Sequence, residues 1–144
     1  MTDTTDRAHR MFRFERQLDA SPDEVFDAWT TPEQVTAWWD PSGAPLVACT
    51  IDLRVAGGFR FVSSGHAPPF EGTYELVERP HRLEFRAMGA RGVIALAAHG
   101  AGTHMVVTIE SPSEEHFETF LRLGVATGTS TTLDNLVRVV RRAG

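Results

Sequence analysis

From residue 11 onward the hydrophobic positions alternate. Phe12, Phe14 and Leu18 share one parity, with Arg13, Glu15 and Gln17 on the other, the pattern of a strand buried on one face. Arg16 breaks that pattern by placing a charge among the apolar positions. Residues 1–10 are polar, lack a period and read as a flexible leader, so the single domain is expected to span 11–144. After Leu18 the period changes. Ala20-Ser21-Pro22-Asp23-Glu24 is a helix start, with Ser21 as cap, Pro22 at the first helical position and Glu24 completing a capping box. Val25, Phe26 and Trp29 form the stripe of a short helix. Thr31-Pro32-Glu33-Gln34 repeats the signal, predicting a second short helix to about Trp38 that stops before Pro41.

Beyond Leu46 the period stays near two and turn residues recur, as in an antiparallel meander. Strands are expected at about 46–54, 58–64, 70–78, 81–88, 91–99 and 102–111, making seven with the first. Ser113, Glu114 and Glu115 then start a terminal helix, with Arg138, Arg141 and Arg142 near its far end. Its middle, Gly124 to Thr132, holds two glycines, four threonines and a serine, and gives up about 4 kcal/mol of helix propensity. Either the helix breaks near Gly124, or small side chains leave volume between helix and sheet. The pattern alone does not choose.

Composition narrows the function classes. At 144 residues the chain is the length of one domain and long enough for a core. One cysteine excludes an internal disulfide framework and a multi-cysteine zinc site. The net charge of −5 speaks against a nucleic-acid partner. All fourteen basic residues are arginine, which excludes a Schiff-base or phosphate-loop lysine. No apolar run is long enough to span a membrane and the first ten residues lack a signal-peptide stretch, so a cytoplasmic location is expected.

The order strand, two short helices, six strands and long terminal helix is that of an α+β helix-grip fold, a seven-stranded antiparallel sheet curled around a C-terminal helix. Particular segments narrow this: Ala20 to Trp29, Pro32-Glu33, Trp38-Trp39-Asp40-Pro41, Asp52-Leu53-Arg54 ahead of Gly57, and Phe59-Arg60-Phe61. Glu71-Gly72-Thr73-Tyr74, Pro80-His81-Arg82-Leu83, Gly102-Thr103, Gly128 and Leu133-Asp134-Asn135-Leu136 follow in the same order. In these, residues 12–142 resemble the bacterial proteins similar to the C-terminal domain of the activator of heat-shock-protein-90 ATPase, within the START-like SRPBCC superfamily. Ala56 stands where such chains often have the first of a glycine pair, and Thr129 where many have tryptophan.

The resemblance implies a cavity between sheet and terminal helix. Parity turns Phe59, Phe61, Phe70, Tyr74, Leu83, Phe85, Met105 and Val107 inward, as a filled core or a lined cavity. The expected ligand-binding set is Trp38, Trp39, Phe59, Phe61, Phe70, Tyr74, Phe85, Met105, Leu121, Val125 and Gly128. The two tryptophans either plug one end of the grip or face the ligand, and Tyr74 either orients a ligand or packs. Cys49 shares parity with Val47 and Ile51 and reads as a small buried hydrophobe. His99 and His104, flanking a glycine turn, could face each other across a hairpin, but two histidines make no metal site. No nucleophile elbow, Walker loop or complete dinucleotide fingerprint appears, and no pattern calls for a cofactor. Glu75, Asp52, His66, His81 and Arg54 are available for acid–base work but read as solvated residues. The readings, in order, are binding of a small hydrophobic or aromatic molecule, a cyclase- or dehydratase-type enzyme, and a protein that binds a chaperone ATPase. A homodimer is left open.

Overall fold

A computed structural model describes residues 2–65 and 67–140. The elements in chain order are β1 (Asp3–Asp6), β2 (Met11–Leu18), α1 (Pro22–Thr30), α2 (Pro32–Trp38), β3 (Ala48–Ile51) and β4 (Gly58–Val62). They continue as β5 (Phe70–Glu78), β6 (Arg82–Ala87), β7 (Ala90–His99), β8 (Gly102–Glu110), α3 (Glu114–Arg122) and α4 (Val125–Val139). The strands form one antiparallel sheet in the order β1-β2-β8-β7-β6-β5-β4-β3, the helix-grip arrangement. It has eight strands where seven were expected.

The extra strand lies in the expected leader. Asp3 to Asp6 pair with Phe14 to Met11, and Arg16 Nη1 donates to Asp3 Oδ1 at 2.5 Å. An edge strand needs only backbone pairing and a fastening, neither of which shows as hydrophobic alternation. Arg141 and Arg142 lie outside the described residues.

Both short helices form where their caps stand. Ser21 and Glu24 exchange the two hydrogen bonds of the capping box, at 3.3 and 3.0 Å. These helices carry the chain from β2 to the far edge of the sheet, and α1 packs on β7 and β8. Gly102 and Thr103 fasten that crossing. A Cβ on Gly102 would lie 2.3 Å from the Leu18 carbonyl oxygen, and Thr103 Oγ1 donates to the Ala20 carbonyl at 2.7 Å.

The strand expected at 46–54 is shorter, because the chain turns at Asp52. Ala56 takes a left-handed conformation (φ 68°) and its N–H donates to the Tyr74 carbonyl at 2.8 Å. That is the position where the resembled family favours glycine, and the conformation explains the preference.

The terminal helix is two helices. Gly124, at φ 75°, separates α3 from α4. Phe117 anchors α3 by stacking on Phe12, with ring centroids 4.9 Å apart. In α4, polar ties join the buried Leu133 and Leu136. Arg16, only 3% exposed, donates from Nε to Asp134 Oδ1 at 2.9 Å and from Nη2 to Ser130 Oγ at 3.0 Å. Thr132 Oγ1 donates to the Trp39 carbonyl at 3.1 Å, and Asn135 Nδ2 to the Asp40 carbonyl at 3.1 Å. The charge that interrupts β2 therefore keeps the inward parity and uses it to hold β1 and α4.

Two outcomes follow. Arg16→Met leaves its two carboxylates without a cation and should cost about 2 kcal/mol in chemical denaturation, less than a fully buried pair because the carboxylates reach solvent. Hydrogen bonding from Arg16 holds the Asp3 carboxyl below its ordinary value, so its stabilisation is present above about pH 4 and lost as pH falls through the depressed value. The gap between wild type and Arg16→Met should accordingly shrink in acid. Ala56→Gly, relieving the left-handed strain, should raise stability by about 0.5–1 kcal/mol.

Candidate functional site

A cavity lies between the first half of α4 and the middle of the sheet. Val125, Gly128, Thr129 and Thr132 line one side of a cavity of about 450 Å³, and the inner faces of Phe61, Phe85, Gly92, Val107 and Ile109 line the other. Trp29, Trp39, Phe70 and Phe120 wall it, and Pro41, Ala67, Pro68 and Pro69 contribute from loops. A Cβ on Gly128 would meet no atom within 4 Å. Thus both explanations of the glycine- and threonine-rich stretch apply: the helix breaks at Gly124, and the small residues after it leave space.

The aromatic wall is built by register. Phe61 lies opposite Phe70, and Tyr74 opposite Phe85, in the adjacent pairs β4–β5 and β5–β6. Trp39 meets Phe61 and Phe70 at centroid distances of 4.9 and 4.8 Å, and Phe59 meets Tyr74 at 5.1 Å. The Phe85 ring lies across Gly92, where a Cβ would be 2.3 Å from its Cζ. Without a side chain at 92, that ring can lie flat against the strand.

Of the expected set, Trp39, Phe61, Phe70, Phe85, Val125 and Gly128 come together on the cavity. Phe59 and Tyr74 border a water-sized hole of about 10 Å³ that shares Trp29, Trp39, Phe61, Phe70 and Phe85 with the cavity wall. Burial pushes the Tyr74 hydroxyl well above the ordinary phenol value, so it stays protonated. Trp38 is instead a core residue, fully buried, its indole N–H donating to the Ala28 carbonyl at 3.0 Å. Met105 is likewise fully buried in the core, and Leu121 packs beside the core while its neighbour Phe120 lines the cavity. The break at Gly124 separates the α3 and α4 faces, which a single continuous helix would have kept in phase.

Sequence reasoning missed Trp29, Phe120, Gly92 and the proline-rich segment. Only Gly92 carried a usable signal, as a glycine inside an apolar strand, where close approach is the usual cause.

The remaining chemical candidates lie elsewhere. Glu75 accepts from Arg86 at 2.8 Å, Asp52 from Arg54 at 2.9 Å, and His81 Nδ1 lies 3.1 Å from the Leu96 carbonyl. His66 lies outside the described residues. His99 and His104 do not face each other: His99 pairs with Gly102, while His104 lies opposite Ala97 and reaches Glu15 at 2.9 Å. Among the described residues no cluster of three metal-ligating side chains occurs. Burial, and secondarily the charge of Glu33, pushes the Cys49 thiol up to about 11.

With this geometry in place, the chain can be set beside known proteins. Residues 19–141 match the sequence profile of the family described as activator of Hsp90 ATPase homolog 1-like protein. The chain belongs to this family. A comparison with curated proteins gives no match. Among solved structures, an AHSA1-like protein from Aeromonas hydrophila is 25% identical, with 90% of this chain and 91% of that one covered and a TM-score of 0.76. A Nitrosomonas europaea protein gives 21% identity, coverages of 91% and 94%, and a TM-score of 0.82. A Mycobacterium smegmatis protein gives 17%, 96% of both chains, and 0.83. No helix among the described residues of this AHSA1-like chain is long and apolar enough to cross a membrane.

In an AHSA1-like chain with this cavity, Gly128→Ala should stabilise the fold by about 1 kcal/mol, since the new methyl gains helix propensity and meets nothing. A drop in thermal midpoint would mean α4 sits closer to the sheet than described. Cys49 should react with iodoacetamide at pH 8 about a hundredfold more slowly than an ordinary thiol, whose pKa is about 8.5.

Proposed function

We propose that this protein binds a small hydrophobic or aromatic molecule, in the cytoplasm, between the sheet and α4. The supporting observation is the cavity: about 450 Å³, within the range of about 300–1,000 Å³ of ligand sites, and lined predominantly by apolar and aromatic side chains. Its size follows from Gly128 and the threonines of α4, residues that spend helix propensity on leaving space. The described lining residues include Ser63, Thr108, Thr129 and Thr132 but no carboxylate, imidazole, guanidinium or thiol. Such a lining favours binding over acid–base chemistry of the cyclase type, which needs an ionisable group at the reacting atoms.

The test is a thermal-shift screen against acyl chains, flat polycyclic aromatics and flavonoid-like compounds. A ligand at a hundred times its dissociation constant adds about 2.7 kcal/mol, raising the midpoint by roughly 5 to 10 °C. A shift with one class is expected in wild type, and its loss in a folded Gly128→Phe variant, whose ring would occupy the space. No response to any class would overturn the reading.

A further inference from the structure

Four hydroxyl side chains, Ser63, Thr108, Thr129 and Thr132, are among the lining residues of the cavity. Three of them are accounted for. Thr132 Oγ1 donates to the Trp39 carbonyl at 3.1 Å, and Ser63 hydrogen-bonds the Asp40 carboxyl. Thr108 lies opposite Arg13 and Val93, so the two-residue alternation of β8 puts its side chain on the sheet face away from Val107 and Ile109. Thr129 is different. Val125, Thr129 and Leu133 follow at intervals of four along α4 and line the same cavity, which places Thr129 midway along the helix face turned to the sheet. Helical threonines commonly return their proton to the carbonyl four residues back, as Thr30, Thr119 and Thr131 do to Phe26, Glu115 and Thr127 at 2.8, 3.0 and 3.1 Å. The Thr129 hydroxyl has no hydrogen-bond partner among the described residues, and its oxygen is not closed off from water. Valine has the same shape and nearly the same helix propensity, so the fold makes no use of this hydroxyl.

We infer that Thr129 is a specificity-determining residue of the cavity, its hydroxyl hydrogen-bonding an uncharged carbonyl or alcohol oxygen on a ligand whose body is otherwise apolar. This rests on the reading of the cavity as a binding site and narrows the ligand class. A hydroxyl both donates and accepts, so it serves a ketone or an alcohol. A carboxylate, phosphate or ammonium is disfavoured, because the described lining residues include no charged side chain and a charge buried without a partner is strongly opposed. A pure hydrocarbon fits the walls but takes water from Thr129 without replacing its hydrogen bond. The aromatic wall thus reads the body of the ligand, and Thr129 reads the oxygen facing α4.

The test titrates three matched neutral probes, 2-acetylnaphthalene, 1-(2-naphthyl)ethanol and 2-ethylnaphthalene, by calorimetry into wild type, Thr129→Val and Thr129→Ser. The preference for at least one oxygen-bearing probe over the hydrocarbon should be roughly 3- to 10-fold greater in wild type and Thr129→Ser than in Thr129→Val, the worth of one hydrogen bond. Thr129→Ala, which also lacks the hydroxyl and favours the helix, takes the place of the valine variant if that one does not fold. Equal preference with and without the hydroxyl would overturn the inference and leave the cavity reading standing. So would a loss in Thr129→Ser as large as in Thr129→Val, since side-chain shape and not the hydroxyl would then decide binding. Failure of all three probes to bind wild type would overturn both.

Discussion

The structure depends on how α4 is held above the sheet. A helix normally reaches its sheet through a continuous apolar stripe, and its distance is then set by the side chains between them. Here only the second half of α4 does this, through Leu133 and Leu136. The first half is suspended. Arg16 grips Asp134 and Ser130 from below, while Thr132 and Asn135 hydrogen-bond the carbonyls of Trp39 and Asp40 at the end of α2. Hydrogen bonds to fixed carbonyls set a distance, whereas hydrophobic contact would close it. Lowering the helix onto Phe61 and Phe85 would break those ties around a buried cation.

The other parts follow from that suspension. Gly124 permits the change of direction that lets α3 pack its Phe117 against Phe12 while α4 stands off. The capping box and Thr103 fix α1, which delivers Trp29 and, through α2, the carbonyls that α4 needs. The sheet contributes the opposite wall, where Gly92 lets Phe85 lie flat and Phe70 stands across from Phe61. Each local feature has an ordinary cause. Their combination leaves a largely apolar space.

Much of this was legible in the sequence. The two helix starts, the meander and the parity of Phe59, Phe61, Phe70 and Phe85 could be read directly, because caps and two-residue alternation act over short distances. Arg16 was visible as an anomaly, but its meaning lay in partners 13 and 118 residues away. For the same reason β1 was hidden, its strand being fastened by an arginine on its neighbour. Leu121 and Phe120 exchange expected roles because the break at Gly124 separates two helical faces; Met105, inward by parity, and Trp38, at the end of α2, are buried in the core without reaching the cavity.

Binding beneath α4 requires that the space there exist in the folded protein and be largely apolar. Xenon enters dry apolar cavities and gives strong anomalous scattering, so a crystal pressurised with xenon reports directly on it. Xenon density is expected among Phe61, Phe85, Val107 and Val125, with Thr132 and Asn135 still bonded to the Trp39 and Asp40 carbonyls. A structure in which α4 has settled onto Phe85 and Val107, with no xenon between them, would contradict it.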